Sequence, residues 1–543
     1  MDNKEKLIIY QVFPRIFTNT CDACVHNGTI EQNGVGKMNQ IDSKVLKSIK
    51  ELGVNCVWYT GIIEHATKTD YSKHGIRPDN HYVVKGNAGS PYAIKDYYDV
   101  CPDLAENIDN RIEEFEALVA RTHKEGMKVL IDFVPNHTAR QYHSDKKPSG
   151  IDDFGVNDNN DMFFSPQNNY YYITRQQFCP SIDLGEGADK YVEFPAKATG
   201  NDCFNAFCGE YDWYETVKLN YGKDYGDGTT HFDPIPNTWL KMLHILRYWA
   251  AKGVDGFRCD MVFMVPLEFW NWVIPNVKKD YPHVVFIGEI YDVNLYRPFI
   301  SYGCFDYLYD KVNLYDTLVG IQRHNVSAAQ LTHSWQAVDG IGNRMLNFLE
   351  NHDEVRFGSR EYAENPLLVV PSLVVSSMIN TGPMMIYYGQ ELGEQAKDNE
   401  GFAGDNNRTT IFDYWSLDTV RRWYNNGECD GAHLTSQEKW LRSTYAKILS
   451  ICNKEKAVSE GTFFDLMYVN LNNPDFNPHR QFAFLRHQGD DTLLIVANFD
   501  HQAVDIKVNI PNEAFDYMDL LDGQGMCVEL ISGTRQSKRL TRE

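Results

Sequence analysis

In the stretch GFRCDMV, residues 256–262, an arginine and an aspartate stand two positions apart at the end of an apolar run that reads as a buried strand. Charge is costly there. On a strand of period two, Arg258 and Asp260 point to the same face, an arrangement that serves a site better than it tidies a core. Polar residues follow other apolar runs in the same way: Asp132, Asn136 and His137 in DFVPNH, Glu289 at the close of VVFIGE, and His352 and Asp353 in ENHDEVR. Carboxylates drawn from separate strands into one pocket suit cleavage of a glycosidic bond with retention. One attacks the anomeric carbon while another, about 5–5.5 Å away, protonates the leaving oxygen. The attacking acid must be ionised, and the charge of Arg258 favours that state for Asp260. Glu289, with apolar neighbours and no base close in sequence, suits the proton donor. Asp353 is left to favour positive charge building on the sugar ring. Asp132 reads as a structural acid that pairs a neighbour at the rim, and His137 and His352 read as ligand contacts.

These residues need elements that bring them to one place, and the chain supplies a rhythm of strand and helix. KLIIYQVF, GVNCVWYT, MKVLIDFV, GVDGFRCD, VVFIGE, CFDYLY, RMLNFLE and GPMMIYYG are eight short apolar runs. Amphipathic segments of helix length lie between them, such as DSKVLKSIKELG, NRIEEFEALVARTHKEG, WLKMLHILRYWAAKG and PLEFWNWVIPNVKK, and several close on glycine as a helix C-terminus should. Strand then helix, eight times, with strands apolar on both faces, predicts a (β/α)8 barrel whose loops at the C-terminal strand ends share one pocket. A doubly wound open sheet is the competing architecture, but no glycine-rich phosphate turn follows the first strand. Residues 138–236, rich in Asn, Asp, Gly and aromatic residues, form an inserted domain after the third strand. The tail RQFAFLRHQGDDTLLIVANFDHQAVDIKVNI alternates apolar and polar residues and predicts a C-terminal antiparallel β-sandwich domain. The expected division is therefore 1–137 and 237–458 for the barrel, 138–236 for the insertion and 459–543 for the tail.

With 74 acidic against 52 basic side chains in 543 residues, the formal net charge is -22, so nucleic acid and anionic membranes are poor partners. No apolar run has the length of a membrane span. Aromatic residues reach 13%, and rings beyond the needs of a core suit the apolar faces of sugars. The first strand-like run begins at Leu7, too early for a signal peptide to precede it, which predicts a cytoplasmic protein or a chain already processed. Twelve cysteines show no disulfide spacing. Cys56, Cys259 and Cys452 read as reduced core thiols, and the lone pair Cys21 and Cys24 as free thiols in a loop.

In this order, DFVPNH, GFRCD, the GE closing VVFIGE, and ENHD resemble the four signature regions of the α-amylase family of glycoside hydrolases. The resemblance covers most of the chain. IIYQVFPRIF is similar to the family's first strand, SPYAIKDYYDV to its second loop, GPMMIYYGQE to its eighth strand, and the insertion and tail to its domains B and C. It implies Asp260 as nucleophile, Glu289 as acid/base and Asp353 as transition-state stabiliser. Arg258, His137 and His352 are implied to hold the nucleophile and the hydroxyls of the sugar at the cleavage point, with Tyr92 stacked under that sugar. The implied partner is an α-glucan oligosaccharide, hydrolysed at α-1,4 links through a covalent glucosyl-enzyme intermediate. The alternatives are a transglycosylase or isomerase with the same machinery, and a catalytically silent carbohydrate-binding protein on the same fold. That chemistry requires no cofactor. Calcium is the one metal the resemblance admits, because Asn136 matches a calcium ligand of the family, although Phe263 and Met264 stand where many calcium-bearing members have Lys-His. The loop 157–161 reads as a solvated loop rather than a calcium site. ETVKLNYG, residues 215–222, falls where a fifth motif of the family lies, in different wording, and takes no role from it.

Overall fold

All eight apolar runs become strands of one closed parallel barrel in the computed structural model, which describes residues 5–542, residue 403 by its backbone only. The strands are β1 (Ile8–Val12), β2 (Cys56–Tyr59), β3 (Lys128–Phe133), β4 (Gly256–Cys259), β5 (Val285–Gly288), β6 (Tyr307–Tyr309), β7 (Met345–Phe348) and β8 (Met384–Tyr387). Each pairs with its sequence neighbours, and β8 closes on β1 through Ile8 opposite Met384. A cylinder without edges excludes the open doubly wound sheet. Side chains fill it on both faces, which is why the strands read as continuous apolar runs rather than alternating ones.

Helices wrap the outside where the amphipathic segments lie: α1 (Ser43–Lys50), α2 (Arg111–Lys124), α3 (Asn237–Ala251) and α4 (Leu267–Asp280) in the first half. Asp42 caps α1 by accepting from the backbone N–H groups of Lys44 and Val45 at 2.9 and 3.1 Å. Gly253, just past α3, takes the left-handed backbone (φ 91°) that turns the chain into β4.

The insertion between β3 and α3 is built from short antiparallel pairs, His137–Ala139 with Thr216–Lys218 and Tyr172–Ile173 with Ala196–Lys197. A small separate core gathers Ile173, Phe178, Tyr191 and Tyr214 of the insertion with Val83 from the segment after β2. The C-terminal region is all-β in its sheets: β9 (Thr462–Asp465), β10 (Gln481–Gln488) and β11 (Asp491–Asn498) form one antiparallel sheet, and β12 (Gly523–Val528) pairs antiparallel with β13 (Arg535–Leu540). One expectation differs here. The alternating stretch around Val504–Ile510 joins no ladder; its backbone N–H groups are taken by the loop below, Lys507 donating to the Asp475 carbonyl and Asn509 to the Asn470 side chain. Buried Arg486 of β10 ties the sheet to the barrel by donating to the carbonyls of Ala457, Val458, Gly461 and Ile379. Cys56, Cys259 and Cys452 are buried free thiols, and Cys21 and Cys24 are free and half-buried. Among the described residues no helix is long and apolar enough to cross a membrane.

Candidate active site

Strand register delivers the first acids. Arg258 pairs with Asp132 across β3 and β4, and Cys259 with Gly288 across β4 and β5, so Asp260 and Glu289 leave the sheet side by side. Both are still held by the ladder, Asp260 N–H donating to the Phe133 carbonyl at 2.9 Å and Glu289 N–H to the Cys259 carbonyl at 3.0 Å. Gly288 before Glu289 fits closely against the next strand: a Cβ there would lie 2.8 Å from Leu308 Cδ2 and 3.2 Å from the Phe305 ring, so those side chains would have to give way.

One guanidinium organises the centre. Arg258 is fully buried; its Nη1 donates to Asp260 Oδ1 at 2.9 Å and to Asp132 Oδ1 at 3.4 Å, its Nη2 lies 2.9 Å from Glu289 Oε1, and its Nε donates to the Tyr309 hydroxyl at 3.1 Å. Trp58, Tyr92 and Tyr309 surround it with ring centroids 5.3 to 5.5 Å away. Asp132 plays the structural part expected of it, accepting from Trp58 Nε1 at 2.9 Å and the Tyr92 hydroxyl at 3.1 Å. Glu289 is pinned on both oxygens, Oε2 by the Met261 N–H at 2.8 Å and Oε1 by the Tyr291 hydroxyl at 2.5 Å. Met261 adopts a left-handed backbone (φ 46°) to aim that N–H, local strain placed beside the acid.

Asp353 approaches from the loop after β7. His352 Nε2 lies 2.9 Å from its Oδ2, and His352 is itself held by Gln11 Nε2, 3.0 Å from its Nδ1. The His352 ring stacks on Tyr92 (4.9 Å, 20°) and meets the edge of Trp58 at 5.7 Å. His137, also buried, packs against Trp213 at 5.3 Å. Of the residues expected to bind, Arg258, Tyr92 and His352 touch one another or the acids, while His137 makes its ring contact with Trp213 of the insertion.

Asp260 and Asp353 differ electrostatically. Burial pushes the Asp260 carboxyl well above the usual carboxylate range, the Glu289 charge adds to this, and Arg258 opposes both. Arg258 pulls in the direction expected of it, toward the ionised carboxylate, against burial and the Glu289 charge. For Asp353 burial also pushes upward, but His352, Arg258 and Arg408 more than offset it and leave the carboxyl lowered. Its side chain keeps 41% of its surface open. Burial, reinforced by the Lys218 charge, lowers His137 to about 3, so it is a neutral ring at ordinary pH.

The metal expectation at Asn136 meets a different arrangement. Asn136 Oδ1 accepts from Lys218 Nζ at 2.5 Å and Asn136 Nδ2 donates to the Gly200 carbonyl at 2.8 Å, so the oxygen expected to face calcium already faces an ammonium, and the residues present do not fit a divalent ion. In the loop 157–161, Asp158 spends its oxygens on the N–H groups of Asn169 and Tyr170 and on the Tyr172 hydroxyl, as a structural loop does.

Sequence reasoning missed Trp58, Tyr309, Gln11 and Tyr291. Gln11 carried a signal, an amide in the middle of an apolar strand, and so did Tyr291, two positions after Glu289 as Asp260 is two after Arg258. Trp58 and Tyr309 look like any core aromatic in their strands. A separate cavity of about 720 Å³ between Trp335 and the C-terminal sheet contains none of the three acids.

The profile described as "Alpha amylase, catalytic domain" matches residues 11–464, and "Alpha amylase, C-terminal all-beta domain" matches residues 472–539. An alpha-glucosidase of Apis mellifera is 24% identical, covering 94% of this chain and 88% of its own. Alpha-amylase 3 of Dictyoglomus thermophilum is also 24% identical, over 84% of this chain and 78% of its own. Among solved structures, a maltogenic alpha-amylase from Thermotoga neapolitana shares the fold at 20% identity, with a TM-score of 0.62, over 98% of this chain and 94% of that one.

Proposed function

The chain belongs to the alpha-amylase family, and from that membership we propose that it is a retaining glycoside hydrolase of α-1,4-linked glucose oligomers or starch-type α-glucans. The observation that carries this reading is that Asp260 and Glu289, from adjacent strands, each lie 2.9 Å from one of the two terminal nitrogens of Arg258. Acids sharing one fork sit close together, which favours the roughly 5–5.5 Å pairing of retaining enzymes over the wider spacing that admits a water.

Arg258 engages Oδ1 of Asp260, its charge favouring the ionised form that attack requires, and leaves Oδ2 for the anomeric carbon. As that C–O bond forms, the glycosidic bond breaks and the Glu289 proton passes to the leaving oxygen. Water then attacks the same carbon, returns a proton to Glu289 and releases Asp260, so atoms and charge balance over the cycle. The Tyr291 hydroxyl both donates and accepts, and so can follow Glu289 through its two states. Asp353, its carboxyl lowered, supplies negative charge beside the oxocarbenium-like transition state. His137, neutral, offers a sugar hydroxyl a partner without a competing charge.

The test is incubation with starch, pullulan, maltotriose, isomaltose, sucrose and trehalose, with products separated and the anomer of the first product read by NMR. Glucose or maltooligosaccharides released as the α-anomer, and lost in Asp260→Asn, support the reading. Rearranged or longer sugars as sole products would make it a transglycosylase or isomerase, and a first product in the β form would end the retaining mechanism.

A further inference from the structure

ETVKLNYG takes no part in the reaction drawn above, yet its lysine sits at the joint between insertion and barrel. Lys218 is 2% exposed and pairs opposite His137 on the strand Thr216–Lys218. Its Nζ lies 2.5 Å from Asn136 Oδ1, 2.7 Å from Asp202 Oδ1 and 3.0 Å from the Met264 carbonyl oxygen. Those oxygens come from three segments: the end of β3, the insertion, and the turn that follows Asp260. An amide oxygen, a carboxylate and a backbone carbonyl converging in this way are the ligand types of a hard cation. They are equally a complete set of acceptors for the three protons of an ammonium.

We propose that Lys218 is the resident cation of this joint, fastening the insertion to the barrel where the oxygens around Asn136 would otherwise call for a divalent metal, so that the protein keeps its fold without calcium. A calcium ion needs six to eight oxygens at about 2.3–2.6 Å, and here the centre of the three is filled by a positive charge that cannot leave without unpairing a buried lysine. The same contact reaches the reaction indirectly. Lys218 holds the Met264 carbonyl, Met264 N–H closes a turn onto the Met261 carbonyl, and Met261 N–H donates to Glu289, so one chain of contacts runs from the joint to that acid.

The experiment follows the thermal midpoint of the full chain, wild type and Lys218→Ala, after exhaustive chelation with EGTA and again with millimolar calcium chloride. Because this readout needs no substrate, its failure is distinct from failure of the proposed activity. Wild type is expected to keep its midpoint under both conditions. Lys218→Ala, with the three oxygens vacated, is expected to fall by about 3–4 °C and to recover part of that loss on adding calcium but not sodium chloride. A wild-type midpoint that drops on chelation and returns with calcium would overturn the proposal. So would a Lys218→Ala protein as stable as wild type, or one whose midpoint calcium leaves where it was. Should that variant not fold, equilibrium dialysis of wild type against radioactive calcium decides, with stoichiometric uptake competing with Lys218 counting against the proposal and no uptake supporting it.

Discussion

Replacing Arg258 with lysine keeps the buried charge and discards the fork. The guanidinium reaches Asp260 at 2.9 Å, Glu289 at 2.9 Å, Asp132 at 3.4 Å and Tyr309 at 3.1 Å, in directions that diverge across its plane. A single ammonium on a flexible stem can satisfy one side of that set. At least two contacts to charged groups are then lost, each worth about 1.5–3 kcal/mol. If the whole of that loss falls on the transition state, the barrier rises by about 3–6 kcal/mol and kcat/KM drops by about 10²–10⁴-fold. The assay is initial-rate hydrolysis of a maltooligosaccharide by Arg258→Lys, with circular dichroism to establish that the barrel is intact. Arg258→Met is the companion, since removing the charge strands three buried acids and should cost about 3–5 kcal/mol of stability near neutral pH, a loss that acidification relieves as those acids take up protons. A folded Arg258→Lys enzyme within threefold of wild type would refute the reasoning, because the fork would then be dispensable.

Tyr291→Phe removes the 2.5 Å hydrogen bond on Glu289 Oε1 and should lower kcat by about 10-fold while leaving KM for oligosaccharides little changed, as steady-state kinetics will read. Trp58→Phe takes away the 2.9 Å donor to Asp132 and leaves a buried carboxylate oxygen without it; the expected cost is about 1–3 kcal/mol of stability in chemical denaturation. His137, lowered to about 3, contributes stability that is present above its unfolded value near 6.5 and is lost as pH falls toward 3, so His137→Asn should flatten the acid side of the stability profile between those limits. Glu400 is raised to about 8 by burial and by the Glu394 charge. Its contribution is full below about 4.5 and is lost as pH rises through 8, so Glu400→Gln should gain on wild type, by a few kcal/mol at most, between denaturation curves at pH 5 and pH 8.5.

Local sequence pattern was enough to predict the barrel and to put Arg258, Asp260, Glu289 and Asp353 at its mouth, but not to find Trp58, Tyr309, Gln11 and Tyr291 beside them. Eight runs apolar on both faces can be buried only in a sheet covered on both sides, and polar residues at their C-terminal ends have only the mouth to occupy; the positions of Asp260, Glu289 and Asp353 follow from that local pattern. The tertiary structure decided how those residues act on one another. Whether Arg258 or burial prevails at Asp260 depends on how much water the closed barrel excludes and on the charge of Glu289 from the next strand, neither of which is written in the neighbourhood of residue 260. The same holds for Asn136, whose oxygen meets Lys218 only because the strand Thr216–Lys218 returns some eighty residues later to pair beside it. Periodicity is local and survives in the sequence, whereas desolvation and the choice of partner for a buried charge are set by residues far apart in the chain, and only folding brings them within a few ångströms.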